Sequence, residues 1–270
     1  MALRLKKIFL LSKKELKESF KSKEVIWVIT ILPLTFAIIM PLTIPLLEMI
    51  TTEESMNTED FDNFPPLVPY WDELNDKNKF LVFYTMIFFE TFLLLPMILP
   101  LVIAADSIAG ERERKTIESL IASPLSIWEI LAGKLTTTMI PSIIITYVSG
   151  CIFMIISDLA LYSNLNRLLF PNTMASILLF VFSPFLSLIT TQSMIIVSTK
   201  ASGMREAQQL GSLIIIPLYS FIIGETALFI LVNPWWTIVG AAVLLICAFI
   251  LLLINLRIFD REYMIATTRG

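Results

Sequence analysis

Six long apolar segments constrain the fold of this chain more than any other feature of its sequence. Each is long enough to cross a hydrocarbon core roughly 30 Å thick, which takes about 20 helical residues. The apolar runs are continuous and do not alternate with polar residues, so they predict spanning helices and not the strands of a membrane barrel. We expect spans at residues 25–47, 80–105, 135–157, 174–198, 210–232 and 237–256.

Charge is scarce, because 16% of the 270 residues are Asp, Glu, Lys or Arg, against about 25% in a typical soluble domain. The sequence therefore predicts an all-α polytopic membrane protein with six transmembrane helices. Prolines inside the runs, among them Pro41, Pro96 and Pro184, predict kinks, above all in the first helix. Only Asn233, Pro234 and two tryptophans separate the last two segments. This boundary is compatible with two full spans or with a partly re-entrant helix.

The distribution of basic residues predicts the orientation, because Lys and Arg are retained on the cytoplasmic side. If the N-terminus is cytoplasmic, only Lys77, Lys79 and Arg167 of the 20 Lys and Arg residues fall in outer loops. We therefore expect a multi-pass protein of the cell membrane with both termini in the cytoplasm. The basic residues continue to Lys23 and lead into a span without a cleavage site, so we expect the first helix to be retained.

Missing residue types exclude several common chemistries. The chain contains no histidine, which excludes zinc-protease helices and Ser-His-Asp triads. The P-loop pattern GxxxxGK[ST] is absent as well, so we expect no ATP site in this chain. Cys151 and Cys247 both fall within predicted spans, where neither a disulfide nor a cysteine metal site is expected. The sequence therefore predicts a chain that is not an enzyme and holds no cofactor or metal.

The densest charge lies between the second and third spans, in the charged stretch of residues 110–134, GERERKTIESLIASPLSIWEILAGK. Opposite charges four residues apart support a helix in its first half. Ser126 and Glu129 have the spacing of a capping box in its second half. Since Pro124 separates the halves, we predict two short helices exposed to the cytosol. A solvated loop without a partner is the alternative interpretation.

A specific order of residues runs along the charged stretch: Gly110 to Glu113, Thr116 to Glu118, Leu120, Ser123 to Leu125, Glu129 to Leu131 and Gly133-Lys134. This order resembles the loop after the second transmembrane helix of the ABC-2 type transporter permeases, including the sodium-exporter-like permease group. The likeness continues over nearly the whole chain as a similar order of hydropathy. It includes a basic N-terminal helix and the Asn233-Pro234 pair before the last span.

In that family the loop is a coupling element that contacts a separately encoded cytosolic ATPase subunit. The resemblance implies the permease subunit of an ATP-binding cassette exporter, with ATP and Mg²⁺ on the partner. It also implies two ATPase copies and a second permease, either an identical chain or a relative, while no nucleic-acid partner is expected. Sodium, a peptide, a lipid and a small amphiphile are all candidate substrates. The resemblance assigns the ATPase contact to Glu111, Arg112, Glu113, Thr116, Glu118, Pro124 and Glu129.

The predicted organisation begins with an amphipathic connecting helix that lies in the membrane interface. Phe9 and Phe20 belong to its apolar stripe, and its lysines face anionic headgroups. A basic segment that only fixes topology is the alternative. The predicted outer loop is acidic and either attracts cations or is simply solvated. The parts are the cytoplasmic helix at 1–24, the transmembrane domain at 25–257 with its outer loop at 51–79 and coupling loop at 106–134, and a cytoplasmic tail at 258–270.

Three polar residues inside predicted spans are candidates for a substrate or ion pathway. Glu90 lies near the middle of the second span and Glu225 in the outer third of the fifth. Carboxylates are costly in hydrocarbon, so they indicate a functional site by default. Gln192 in the fourth span is a candidate partner for either. The alternatives are a hydrogen-bonded structural role for Glu90, and a helix break at Gly224 that would leave Glu225 wet.

Two other classes of function compete with transport. A membrane scaffold could use the same ATPase to act on an extracellular partner, although the outer loop is short for a docking domain. An intramembrane enzyme is the weaker alternative, because the chain lacks histidine and has no second charged cluster near Glu90.

Overall fold

The computed structural model describes residues 2–51, 66–113, 126–231 and 235–258. The protein is 89% helical, and no strand occurs within these ranges. Six helices are long and apolar enough to cross a membrane, which confirms the predicted fold class. The helices are α1 (Ala2–Ser19), α2 (Lys23–Ile50), α3 (76–113), α4 (Ile127–Leu165), α5 (Thr173–Lys200), α6 (Met204–Leu231) and α7 (Trp236–Ile258).

Five of the six predicted spans lie within one of these helices, and the span predicted at 210–232 ends one residue beyond α6. The helices also extend beyond the apolar runs. The largest extension is in α4, where the prediction began at residue 135 and the helix begins at Ile127. The prediction of a separate short helix in the second half of the charged stretch is therefore wrong. Most of the first half lies outside the described residues. Residues 110–113 are the end of α3, and residues 127–134 are the first turns of α4. Nothing after Ser126 breaks the helix, because apolar residues with helical spacing continue into the span.

Helices α3 and α5 form the centre of the bundle. Of the residues in their most apolar windows, 67% and 56% are buried, against 28% or fewer in the other four spanning helices. Those four helices turn large apolar side chains outward, for example Leu213 on α6 and Phe249 on α7. Outward apolar side chains are expected of a surface whose solvent is lipid.

Three irregular turns interrupt the spanning helices, and each has a proline shortly after it. A proline lacks the backbone N–H, and its ring clashes with the carbonyl four residues earlier. In each case that carbonyl lies inside the irregular turn, so the turn relieves the clash. The turns are the π turns Thr35–Ile39 and Leu178–Phe182 and the 3-10 turn Phe92–Leu94, which end two residues before Pro41, Pro184 and Pro96 respectively.

The two ends of the bundle differ. One end carries α1 together with the end of α3 and the start of α4. At the opposite end, residues 66–75 pack against residues 164–172, and we name these two segments the distal cap. There Arg167 Nη2 lies 2.8 Å from Glu73 Oε2, and its guanidinium lies 5.2 Å from the centre of the Tyr70 ring. A measurement on the distal cap therefore follows the end of the molecule farthest from α1.

Candidate functional site

Four of the seven residues predicted to contact an ATPase are described, and these four lie at the end of the bundle that carries α1. The backbone of Glu111, Arg112 and Glu113 forms the last turn of α3. Glu129 lies in the first turn of α4, so the two sides of the charged stretch are both anchored in spanning helices. The remaining predicted contacts, Thr116, Glu118 and Pro124, lie outside the described residues.

The capping box predicted at the start of α4 is confirmed. Ser126 Oγ accepts a hydrogen bond from the Glu129 N–H at 3.3 Å, and Glu129 Oε2 accepts one from the Ser126 N–H at 2.8 Å. These bonds satisfy two backbone donors that a helix start leaves without partners. Glu129 is only 7% exposed, so the prediction that this half of the charged stretch is exposed is wrong at this residue. Its carboxylate fixes where α4 begins.

A buried polar cluster, which we name the polar junction, joins α1, α3 and α4 through Glu15, Ser107 and Lys134. Lys134 Nζ lies 3.3 Å from Glu15 Oε1, and it donates hydrogen bonds to the backbone oxygen of Ser107 at 2.8 Å and to Ser107 Oγ at 3.1 Å. Ser107 Oγ in turn donates to Glu15 Oε2 at 3.0 Å. The side chains of Glu15 and Lys134 are 3% and 2% exposed. The charges of this ion pair are thus removed from water.

Beside the polar junction, α1 approaches α4 closely at Gly133. A Cβ atom at that position would lie 2.6 Å from Leu11 Cδ2, so any side chain there would have to displace the Leu11 side chain. Ser12 Oγ lies 3.2 Å from the Gly133 carbonyl oxygen, to which it donates, and 2.6 Å from Thr136 Oγ1. The Gly133-Lys134 pair, which ends the family-like order of residues, is therefore buried against α1 and is not exposed to the cytosol.

The sequence did not reveal the polar junction, because its members are distant along the chain. Ser107 is 92 residues from Glu15 and 27 residues from Lys134. The sequence held one indication, because Glu15 lies four residues from both Leu11 and Ser19 and so shares a helix face with them. In the structure all three side chains are buried on that face of α1. The predicted apolar stripe faces away from the protein, where Phe9 is 65% exposed. That arrangement is the one that an interfacial helix requires.

Glu90 is half-buried on α3, where it faces α6. Its carboxyl group lies beside the side chain of Thr226. Its Oε1 atom is buried and makes no hydrogen bond within the described part of the chain. Gln192 lies elsewhere, on α5 against α7, where Asn255 Nδ2 donates to the Gln192 backbone oxygen at 3.1 Å. The structure therefore does not bring Glu90 and Gln192 together.

Glu225 is buried between α6 and α7. Its side chain lies against Gly240, where a Cβ atom would be only 2.4 Å from Glu225 Cδ. A cavity of about 10 Å³ borders it, lined by Thr226, Thr237 and apolar residues of α5. The predicted helix break at Gly224 is wrong, because α6 continues to Leu231 and Glu225 is 6% exposed. The three predicted pathway residues thus occupy three different helix contacts.

Comparison with known proteins agrees with this architecture. The sequence model of a family described as ABC-2 family transporter protein matches residues 9–231. This match covers more than half of the chain and runs from α1 to the end of α6, so it includes the charged stretch and the polar junction. No curated protein matches the chain.

Proposed function

The chain belongs to the ABC-2 transporter family, and from this premise we propose that it is the permease subunit of an exporter driven by a separate cytosolic ATPase. The match over residues 9–231 carries the proposal, because it includes five of the six spanning helices, α2 to α6, together with most of α1. Membership supports a multi-pass membrane subunit that partners an ABC ATPase. In the proposal, ATP and Mg²⁺ are bound by the ATPase, and two ATPase copies serve this chain and a second permease.

The charged stretch is the proposed contact with the ATPase. Its two sides continue directly into α3 and α4, so a displacement of the stretch would be passed to two spanning helices without a flexible connection. The capping box at Ser126 and Glu129 fixes the start of α4. The residues proposed to line this contact are Glu111, Arg112, Glu113, Thr116, Glu118 and Pro124. Glu129 is buried in the capping box, and its proposed role is to brace the contact by holding the start of α4.

Reversing one charge of the proposed contact tests this coupling. In Glu113→Arg, a cation replaces an anion that would face the ATPase, and like charges at an interface disfavour the correct partner. We expect the response of the distal cap to ATP and orthovanadate to be lost. The response is the difference in amide hydrogen exchange of residues 66–75, measured on the purified complex in nanodiscs.

Glu24→Arg is the matched control, since Glu24 is an exposed carboxylate in the first turn of α2, outside the charged stretch. We expect it to keep the response of the distal cap. A full response in Glu113→Arg would contradict the proposed contact, provided that the unmodified complex responds.

Glu90, Glu225 and Gln192 are the proposed pathway residues, with sodium or another small substrate as the proposed cargo. Each of the three has a buried side-chain oxygen that makes no hydrogen bond within the described residues. Glu90 is tested first, because it is half-buried whereas Gln192 and Glu225 are buried. We expect Glu90→Gln to lower the stimulation of ATP hydrolysis by sodium chloride or by a small amphiphile, while the complex still assembles. Glu48→Gln, near the end of α2, is the control. Unchanged stimulation in Glu90→Gln would refute the assignment.

A further inference from the structure

Helix α1 is attached to the protein through one narrow face. Among its described side chains, Leu11, Glu15 and Ser19 are buried, and their spacing of four residues places them on the same side of the helix. The neighbouring faces are open, with Phe9 65% exposed and the Lys14 side chain 66% exposed. Whatever holds α1 in place must therefore act through the buried face.

On that face, the contacts of the polar junction connect Glu15, Ser107 and Lys134 with one another. Two charges removed from water are retained only if each has a close partner of opposite charge and further hydrogen bonds. Lys134 has Glu15 and both oxygen atoms of Ser107, and Glu15 also accepts from Ser107. Removing one charge would take a close counter-charge away from a buried ion, which costs more than the loss of an exposed ion pair.

The polar junction also reaches a third spanning helix through the chain itself. Helix α1 ends at Ser19 and α2 begins at Lys23. The short turn between them is closed by two backbone hydrogen bonds of 3.0 Å, from Lys21 N to the Glu18 oxygen and from Ser22 N to the Ser19 oxygen. A displacement of α1 would therefore be transmitted to α2.

We propose that Glu15 and Lys134 are positioning residues that lock α1 to the two helices flanking the charged stretch, so that α1 and the stretch move as one body. A movement imposed on the stretch then drives α3 and α4 directly and drives α2 through α1. This proposal rests on the proposed function, because the ATPase would supply the movement. The docking of α1 by itself does not depend on any ATPase.

The first arm of the test measures docking. In Glu15→Gln the side chain keeps its shape but loses its charge, so Lys134 loses the carboxylate that lies 3.3 Å from its Nζ atom. We expect amide exchange in α1 to accelerate by on the order of a hundredfold in the purified chain, because local opening becomes more frequent. Glu18→Gln is the matched control, since its ion pair with Lys14 is exposed and spans 3.9 Å. We expect exchange in that variant to stay unchanged.

The second arm separates positioning from general damage to the fold. Ser12 Oγ and Thr136 Oγ1 lie 2.6 Å apart across the α1–α4 contact, so cysteines at both positions are placed to form a disulfide. The background carries Cys151→Ala and Cys247→Ala, both at exposed positions. In Glu15→Gln with Ser12→Cys and Thr136→Cys, we expect the ATP-dependent response of the distal cap to be lost when the disulfide is reduced and restored when it forms.

A third variant keeps the test decisive if Glu15→Gln folds poorly. Replacing both members of the pair, as in Glu15→Gln with Lys134→Met, removes the Glu15–Lys134 ion pair as a unit, and such double replacements are often tolerated. We expect this variant to regain slow exchange in α1 and the response of the distal cap.

Two results would overturn the proposal. One is fast exchange in α1 that neither the disulfide nor the double replacement corrects. The other is a full response of the distal cap in Glu15→Gln while α1 is undocked. If no ATPase co-purifies, or if the unmodified complex shows no response, the proposed function fails instead, and exchange in α1 still decides whether Glu15 and Lys134 dock the helix.

Discussion

At the scale of single residues, contacts between helices decide which side chains this chain tolerates. Gly240 and Gly224 both lie in regular helix, and no described glycine has a positive φ, so backbone freedom does not require either of them. Their surroundings differ. A Cβ atom at Gly240 would lie 2.4 Å from Glu225 Cδ, whereas nothing lies within 4 Å of the Gly224 position. Space for the buried Glu225 side chain explains the glycine at 240.

This difference predicts opposite effects for two identical substitutions. We expect Gly240→Ala to destabilise the contact between α6 and α7 by about 1–3 kcal/mol, because a buried side chain must shift to admit the methyl group. Gly224→Ala should be neutral or stabilising by up to about 1 kcal/mol, since alanine favours helix over glycine. Thermal unfolding of the purified protein in one detergent compares the two variants.

Adding Glu225→Ala to Gly240→Ala supplies the internal check, because it removes the side chain that the new methyl group would meet. We expect this double variant to recover part of the lost stability. Equal stability of Gly240→Ala and Gly224→Ala would show that the Glu225 side chain is not confined by Gly240.

Residue-scale predictions from the sequence succeeded where the interaction is local. The capping box joins Ser126 to Glu129, three positions apart, so its spacing is visible in the sequence. The polar junction depends on how three helices pack, so the contacts of Lys134 with Glu15 and Ser107 cannot be predicted from its neighbours along the chain. The burial of Glu225 could not be predicted from the sequence for the same reason, because it depends on Gly240 of the next helix.

At the scale of elements, hydropathy predicted every span but not the ends of the helices. A run of apolar residues marks where a helix crosses lipid, whereas the helix itself continues while capping and spacing allow. Helix α4 therefore spans 39 residues, Ile127–Leu165, instead of stopping with the apolar run at residue 157. At Pro41, Pro96 and Pro184 an irregular turn accommodates the carbonyl four residues earlier. The kinks expected at the prolines stay a prediction, and five other prolines lie inside regular helix: Pro33, Pro45, Pro100, Pro141 and Pro217.

At the scale of the whole molecule, different helices form the buried centre and the outer surface, and the two ends of the bundle differ. Helices α3 and α5 provide a buried centre, while the other four spanning helices are largely turned outward. The end that carries α1 gathers the charged stretch and the polar junction, and the distal cap closes the opposite end. In our account, a movement received at the first end reaches the distal cap through α2, α3 and α4.

The central claim is that this chain works with an ABC ATPase, and affinity purification from native membranes with mass spectrometry of the co-purified proteins tests it most directly. The account predicts recovery of an ABC ATPase in stoichiometric amount with the chain. Recovery of the chain alone, under detergent conditions in which a known ABC complex stays intact, would contradict the account and leave the charged stretch as an ordinary solvated loop.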